Sequence, residues 1–113
     1  MIHHENFKHD KVAEVLRELA SKFISEESNR SSMITITRTD LQPDFKKVTF
    51  FVTVFPENQE TAGLDFLRRQ RSDCKFYIRE HARLGRIPLV DFQLDTGEKS
   101  RQRIEEISQN LDF

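Results

Sequence analysis

Residues 64–88 carry the strongest pattern in the chain and read LDFLRRQRSDCKFYIREHARLGRIP. Their basic side chains recur every three or four positions, which places them along one side of a helix. This set comprises Arg68, Arg71, Lys75, Arg79, Arg83 and Arg86. Apolar residues fall on another side, namely Leu64, Leu67, Cys74, Ile78 and Ala82. The pattern predicts an amphipathic helical segment with one basic face.

The basic face is a local concentration of charge in a chain that is nearly neutral overall. Seven basic and two acidic residues lie between positions 66 and 86, whereas the formal net charge of all 113 residues is -1. A row of cations at helical spacing can follow a phosphate backbone, because each neutralised phosphate releases counterions. A solvated helix face has the same pattern, and charge alone favours the two interpretations equally.

A polar run at positions 70–73 interrupts the apolar stripe of this segment. Ser72 is a favourable N-cap residue, and Asp73 behind it suits the positive end of a helix dipole. We therefore expect two helices, from residue 60 to about 71 and from there to 84, with a break near Ser72. Gly85 is expected to end the second helix.

The region before residue 27 predicts a single helix. Its apolar residues recur at the i, i+3, i+4 and i+7 spacing: Val12, Val15, Leu16, Leu19, Ala20, Phe23 and Ile24. Asp10 is a good N-cap, so the helix is expected to begin at Lys11. Residues 1–8 are then expected to form a mobile leader.

The hydrophobic period changes to two at three places, which predicts strands at residues 33–39, 46–55 and 88–95. The short connection between the first two implies an antiparallel pair. A short final helix is expected within residues 98–113. The sequence thus predicts one α+β domain over the whole chain, with a three-stranded sheet packed on helices in the order α-β-β-α-α-β-α.

The composition is that of a single globular domain with a polar surface. Charged residues are 33% and apolar residues 36% of the chain, which is well outside the disordered class. Cys74 is the only cysteine, and this excludes an internal disulfide and a cysteine-based zinc site. No apolar run approaches the roughly 20 residues of a membrane span. A cytoplasmic location is expected.

Several short strings, in this order and spacing, resemble the ribosome-binding factor A family of bacterial small-subunit assembly factors. The strings are KVAE and LREL in the first helix (11–14, 16–19), TITR, QPDF, KV and FVTV in the hairpin (35–38, 42–45, 47–48, 51–54), RLGRIPL before the last strand (83–89) and RI at 103–104. The resemblance covers nearly the whole chain.

The resemblance implies a type II K-homology domain that lacks the usual Gly-x-x-Gly clamp and has an Ala-x-Gly kink between its two central helices. Counted back from Pro88, this kink falls on Gln70, Arg71 and Ser72, which depart from the motif at both ends. The three glycines of the chain are too far apart to form a Gly-x-x-Gly. The four-nucleotide clamp of ordinary K-homology domains is therefore excluded by the sequence itself.

Enzymatic chemistry has little support in the sequence. Cys74 and His81 are two helical turns, or roughly 10 Å, apart, which is too far for a nucleophile and its base. The chain has no Gly-rich phosphate loop, and the histidines near its start do not favour a metal site. Asp91 and Asp95 are expected to be solvated. We expect no catalytic residue, metal or cofactor.

The second strand raises a separate question about aromatic side chains. Phe51 and Phe55 are expected on the strand face opposite to the core, and exposed aromatics of sheet-type RNA-binding domains stack on bases. Coverage of this face by the terminal helix and a loop is the favoured interpretation.

Together these observations predict a monomeric, non-enzymatic RNA-binding factor for maturation of the small (30S) ribosomal subunit. Its partners would be ribosomal RNA, bound through phosphate contacts of the six basic residues, and ribosomal proteins. The alternative is a protein-interaction adaptor whose basic helix docks an acidic partner. Nuclease sensitivity of the complex would separate the two.

Overall fold

A computed structural model describes residues 3–27 and 32–97 of the chain. Its elements are, in order, α1 (His3–Glu27), β1 (Met33–Leu41), β2 (Lys47–Phe55), a 3-10 turn (Glu57–Gln59), α2 (Glu60–Arg69), α3 (Arg71–His81) and β3 (Leu89–Leu94). The predicted order α-β-β-α-α-β is confirmed, and each strand lies within two residues of its predicted bounds. The helix predicted within residues 98–113 lies outside the described residues.

The three strands form one sheet in the order β1-β2-β3. β1 and β2 pair antiparallel, as the short turn predicted, with an irregularity between Ile36 and Arg38. β2 and β3 pair parallel, which requires a crossover connection. α2 and α3 form this crossover, and they bring the basic segment alongside β3.

The core lies between the sheet and the three helices. Val48, Phe50 and Val52 of β2 are fully buried, because alternate side chains of the strand point to the helix-covered face. The predicted apolar side of the two crossover helices is confirmed, since Leu67, Cys74 and Ile78 are also fully buried. From α1 the core receives Leu16, Ala20, Phe23 and Ile24. The α+β class predicted from the sequence is confirmed.

The start of α1 differs from the prediction. The helix begins at His3, eight residues before Lys11, so Asp10 lies inside it and the segment expected as a leader is helical from His3. A tertiary contact accounts for the difference. The ring of His9 meets the backbone carbonyl of Leu41 and packs edge-on against Phe45, with the ring centroids 5.6 Å apart.

Candidate RNA-binding face and the interhelical bend

The break between the two central helices lies at Gln70. α2 ends at Arg69 and α3 begins at Arg71. The N–H of Gln70 donates to the carbonyl of Leu67 at 2.9 Å, and the carbonyl of Gln70 accepts from the N–H of Cys74 at 2.8 Å. The break therefore falls on the first of the three positions predicted for the kink. Gln70 has a φ of -97°, so this bend does not require the conformational freedom of glycine.

Ser72 does not cap the second helix, and that prediction is wrong. It lies in the first turn of α3 and is exposed, and no side chain makes a capping hydrogen bond at this helix start. Asp73 is in the first turn, as predicted. The helix begins one residue before Ser72 because Arg71, its first residue, is held by contacts on both sides of the bend.

Two arginines join the bend to the neighbouring strand. The Nε of Arg71 donates to the carbonyl of Arg68 at 3.0 Å. This carbonyl lies in the last turn of α2, where carbonyl groups lack an intrahelical N–H donor, so the arginine supplies the missing hydrogen bond. The Nη1 of Arg71 lies 3.3 Å from the Oδ1 of Asp91. The Nε of Arg68 donates to the carbonyl of Phe92, also at 3.3 Å. We call Arg68 and Arg71 the strand-bound arginines.

Asp91 is the strand residue on which these contacts converge. Its carboxylate meets Arg71, its Oδ2 lies 3.9 Å from the Nζ of Lys47, and its side chain is only 18% exposed. The expectation that Asp91 is solvated is therefore wrong. Asp95 is half-buried, and its carboxylate accepts a hydrogen bond from the hydroxyl of Thr37 at an exposed site. Sequence analysis missed the roles of Asp91 and Lys47, because neither is close in sequence to Arg71.

α3 ends earlier than predicted, at His81 instead of residue 84. Ala82 has extended dihedral angles (φ -129°, ψ 146°), and Gly85 has no positive φ, so glycine does not terminate this helix. Pro88 is fully buried, and Leu84 and Ile87 pack against the core. These contacts hold residues 82–88 near the sheet, where they form an extended connection between α3 and β3.

The early end of α3 divides the predicted basic row among three segments. Arg68 is in the last turn of α2, and Arg83 and Arg86 are in the connection after α3. Only Arg71, Lys75 and Arg79 remain on α3, at intervals of four residues that correspond to about 6 Å along the axis. The wrong part of the prediction is the extension of the second helix to residue 84, since Arg83 lies beyond the end of α3.

The cations beyond the bend are Lys75, Arg79, Arg83 and Arg86, which we call the outer cations. The three arginines among them are exposed, and Lys75 is half-buried. Within residues 3–27 and 32–97, none of the four forms an ion pair with a carboxylate. Their charges are therefore more available to an anionic partner than the charge of Arg71, which is paired with Asp91.

Phe76 is a further exposed residue of α3 that sequence analysis did not single out. Its side chain is 57% exposed, although it lies between Lys75 and the cationic end of the helix. The signal was present in the sequence, because Phe76 falls outside the apolar set formed by Cys74, Ile78 and Ala82.

The aromatic residues of the outer sheet face differ from one another. The guanidinium carbon of Arg38 lies 4.0 Å from the ring centroid of Phe51, so one side of this ring is covered by a cation–π contact. Phe55 is 73% exposed at the end of β2. One face of the Phe51 ring is therefore not available to stack on a base.

Cys74 is a buried hydrophobic residue, as predicted. It is fully buried, and burial raises the pKa of its thiol to about 12, which keeps the thiol neutral and unreactive at physiological pH. The Nδ1 of His81 interacts with the carbonyl of Tyr77 at 2.8 Å, and its ring stacks on the Tyr77 ring.

The described residues contain no group of three or more His, Cys, Asp or Glu side chains arranged to hold a metal ion. None of the described helices is both long and apolar enough to cross a membrane.

A sequence model described as Ribosome-binding factor A matches residues 8–108. The chain belongs to the ribosome-binding factor A family. It is 25% identical over 109 residues to the ribosome-binding factor A of Thermomicrobium roseum, a match that covers 94% of this chain and 82% of that protein. Its family assignment confirms the resemblance seen in the sequence.

A crystal structure and a fitted homology model of ribosome-binding factor A from Thermus thermophilus share the fold. A crystal structure superposes with a TM-score of 0.69 at 18% identity and covers 76% of this chain and 93% of the other. The second is a homology model fitted into a cryo-electron microscopy map of a 30S–RbfA complex. It has a TM-score of 0.61 at 19% identity and covers 70% of this chain and 86% of the other. The predicted K-homology-like fold is confirmed.

Proposed function

We propose that this chain is a non-enzymatic RNA-binding factor that acts in the cytoplasm on the small ribosomal subunit during its maturation. Membership of the ribosome-binding factor A family supports this function, and a Thermus thermophilus relative of the same fold has been fitted into a map of a 30S complex. The chain would bind as a monomer, without a cofactor, and contact ribosomal RNA and neighbouring ribosomal proteins.

The outer cations are the observation that carries the proposal for an RNA-binding face. Lys75 and Arg79 lie one turn apart on α3, and Arg83 and Arg86 continue from its end. No carboxylate of the described residues neutralises them, so each can release counterions from a phosphate that it contacts. Contacts of this kind position a protein on folded RNA without reading its bases.

The strand-bound arginines have a second role in the same face. Arg68 and Arg71 contribute charge to it, but their contacts with β3 also fix the angle between α2 and α3. The bend lets the two helices address different phosphate rows of a curved RNA surface, which a straight helix cannot do. The proposed face thus comprises all six predicted residues, of which two contact β3 and four supply most of the binding charge.

Reversing two outer cations tests the proposal. Arg79→Glu with Arg83→Glu is expected to weaken binding to purified small subunits about tenfold or more at 0.1 M salt, because two phosphate contacts become repulsive. Thermal unfolding should be nearly unchanged, since both side chains are exposed. Affinity can be measured by filter binding or by co-sedimentation through sucrose.

Lys8→Glu with Lys11→Glu is the matched control, because it changes the net charge equally on exposed positions near the start of α1. If both double variants weaken binding to the same extent, the effect is one of total charge and the assigned face is wrong. Loss of the complex on nuclease treatment is expected. A complex that survives complete RNA digestion would instead support a protein-interaction adaptor.

A further inference from the structure

Phe76 occupies the most outward position of α3. The fully buried residues Cys74 and Ile78 mark the side of this helix that faces the core. At 100° per residue, Phe76 is directed about 180° away from the midpoint between them. Its 57% exposure agrees with this direction. More than half of this aromatic side chain is therefore in contact with solvent.

The Phe76 ring is also open to a partner. Within residues 3–27 and 32–97, no cation or aromatic ring stacks on Phe76. The exposed ring of Phe7, in contrast, lies 5.2 Å from the Nζ of Lys11, and the Phe51 ring is covered by Arg38.

The neighbours of Phe76 on the helix surface are charged or polar. Arg79 lies three residues ahead and Ser72 four residues behind, so both are adjacent to it on the helix. On its other flank lie Asp73 and Glu80. Phe76 thus stands at the border between the cationic stripe of α3 and an acidic pair. The hydroxymethyl group of Ser72 is small, which leaves room beside the ring for a planar group.

We propose that Phe76 stacks on an unpaired base of the small-subunit RNA while the outer cations hold the adjoining phosphates. The proposal rests on the proposed function, because it requires RNA on this face. Every base has a π-face, and base–aromatic stacking tolerates any sequence, which suits a chain that lacks the Gly-x-x-Gly clamp. An unpaired base is favoured over an apolar protein pocket because the surface around Phe76 is charged, whereas the centres of protein interfaces are depleted of charge.

Three substitutions separate stacking from simple hydrophobic contact. Phe76→Ala is expected to weaken small-subunit binding about 5- to 150-fold, with no change in salt slope, because no charge is lost. Phe76→Trp should bind as well as the native chain, and Phe76→Leu should be nearly as weak as Phe76→Ala. If Phe76→Leu keeps full affinity while Phe76→Trp loses it, Phe76 fills an apolar protein pocket and the stacking proposal is wrong.

Fluorescence gives a direct readout of stacking, because the chain contains no tryptophan. The indole introduced by Phe76→Trp is expected to be quenched when small subunits are added and to recover after nuclease digestion. Phe55→Trp is the control, since Phe55 is 73% exposed on the sheet, away from the proposed face. Its indole should change little.

The outcomes distinguish the two proposals. If Phe76→Ala binds normally while Arg79→Glu with Arg83→Glu does not, stacking is excluded and the proposed function stands. If neither variant loses affinity, RNA does not bind this face, and both the assigned face and the stacking proposal are wrong. Quenching of both indoles to the same degree would also contradict stacking at Phe76. Ala is a better helix former than Phe, and thermal unfolding of each variant sets the folded fraction at which affinities are compared.

Discussion

The strand-bound arginines and the outer cations belong to the same charged sequence, but they differ in what surrounds them. Arg71 meets a carboxylate that is only 18% exposed, and Arg68 donates to the backbone of β3. Arg79 and Arg83 face solvent and have no ion pair among the described residues. Equal spacing in the sequence therefore does not imply an equal role. A partner on a distant strand decides whether an arginine shapes the fold or is available to a ligand.

The difference also bears on how this chain bends at Gln70, where its sequence has no Ala-x-Gly pattern. Gln70 adopts an ordinary negative φ, so the backbone there needs no glycine. Arg68 and Arg71, one on each side of Gln70, both contact β3, and we propose that these contacts hold the bend. Asp91 would then contribute to the bend through its contact with Arg71.

Removing Asp91 should have the largest effect on stability. Asp91→Ala is expected to lower the free energy of unfolding by about 1–2 kcal/mol, because it leaves Arg71 without its charged partner at a partly buried site. Arg71→Ala should have a similar effect. Urea denaturation of both variants and of the double variant gives the coupling energy, which we expect to be about 0.5–1 kcal/mol.

Asp65→Ala supplies the control for this cycle. Asp65 is an exposed carboxylate of α2, and its removal should change stability by no more than about 0.5 kcal/mol. Strictly additive effects of Asp91→Ala and Arg71→Ala would show that the two side chains do not act together. The distinction between strand-bound and outer arginines would then fail.

The buried side of α3 differs from its exposed side in its expected response to pH. Because burial raises the pKa of Cys74 to about 12, the folded chain keeps this proton, whereas an unfolded thiol loses it near pH 8.5. The free energy of unfolding should therefore be unaffected below pH 8 and fall as the pH rises. We expect a loss of about 1 kcal/mol between pH 8 and 9.5 from this group.

Cys74→Ala should lack this component of the pH dependence, even though the substitution itself alters stability. The measurement is urea denaturation of both proteins at pH 7, 8 and 9.5, with a reducing agent present. If the free energy of unfolding falls equally with pH in the two proteins, the thiol of Cys74 is less shielded from solvent than its burial indicates.

Most of the fold could be predicted from the sequence because its signals are periodic and local. Val48, Phe50 and Val52 alternate without interruption, and all three are fully buried. The errors arose where a contact between residues far apart in sequence overrode a local signal. Asp10 resembles a helix start, but His9 packs on Phe45 and the helix continues before it.

The candidate site was less predictable than the fold, for the same physical reason. Gly85 suggested a helix end near Leu84, but α3 ends at His81. Pro88 is buried and the half-buried Ile87 packs against the core, which directs the chain away from the helix axis. The pairing of Asp91 with Arg71 spans 20 residues, and nothing at either position signals it. Charge spacing thus identified the basic segment but not the division of roles within it.

We propose that the outer cations bind phosphates while the strand-bound arginines mainly hold the bend. The salt dependence of small-subunit affinity tests it most directly, for Arg79→Gln and Arg71→Gln at equal folded fraction. We predict that Arg79→Gln lowers the slope of log affinity against log salt concentration by about one unit. Arg71→Gln should lower it clearly less, because Asp91 already neutralises part of that charge. Equal changes for the two variants, or an unchanged slope for Arg79→Gln, would contradict the claim.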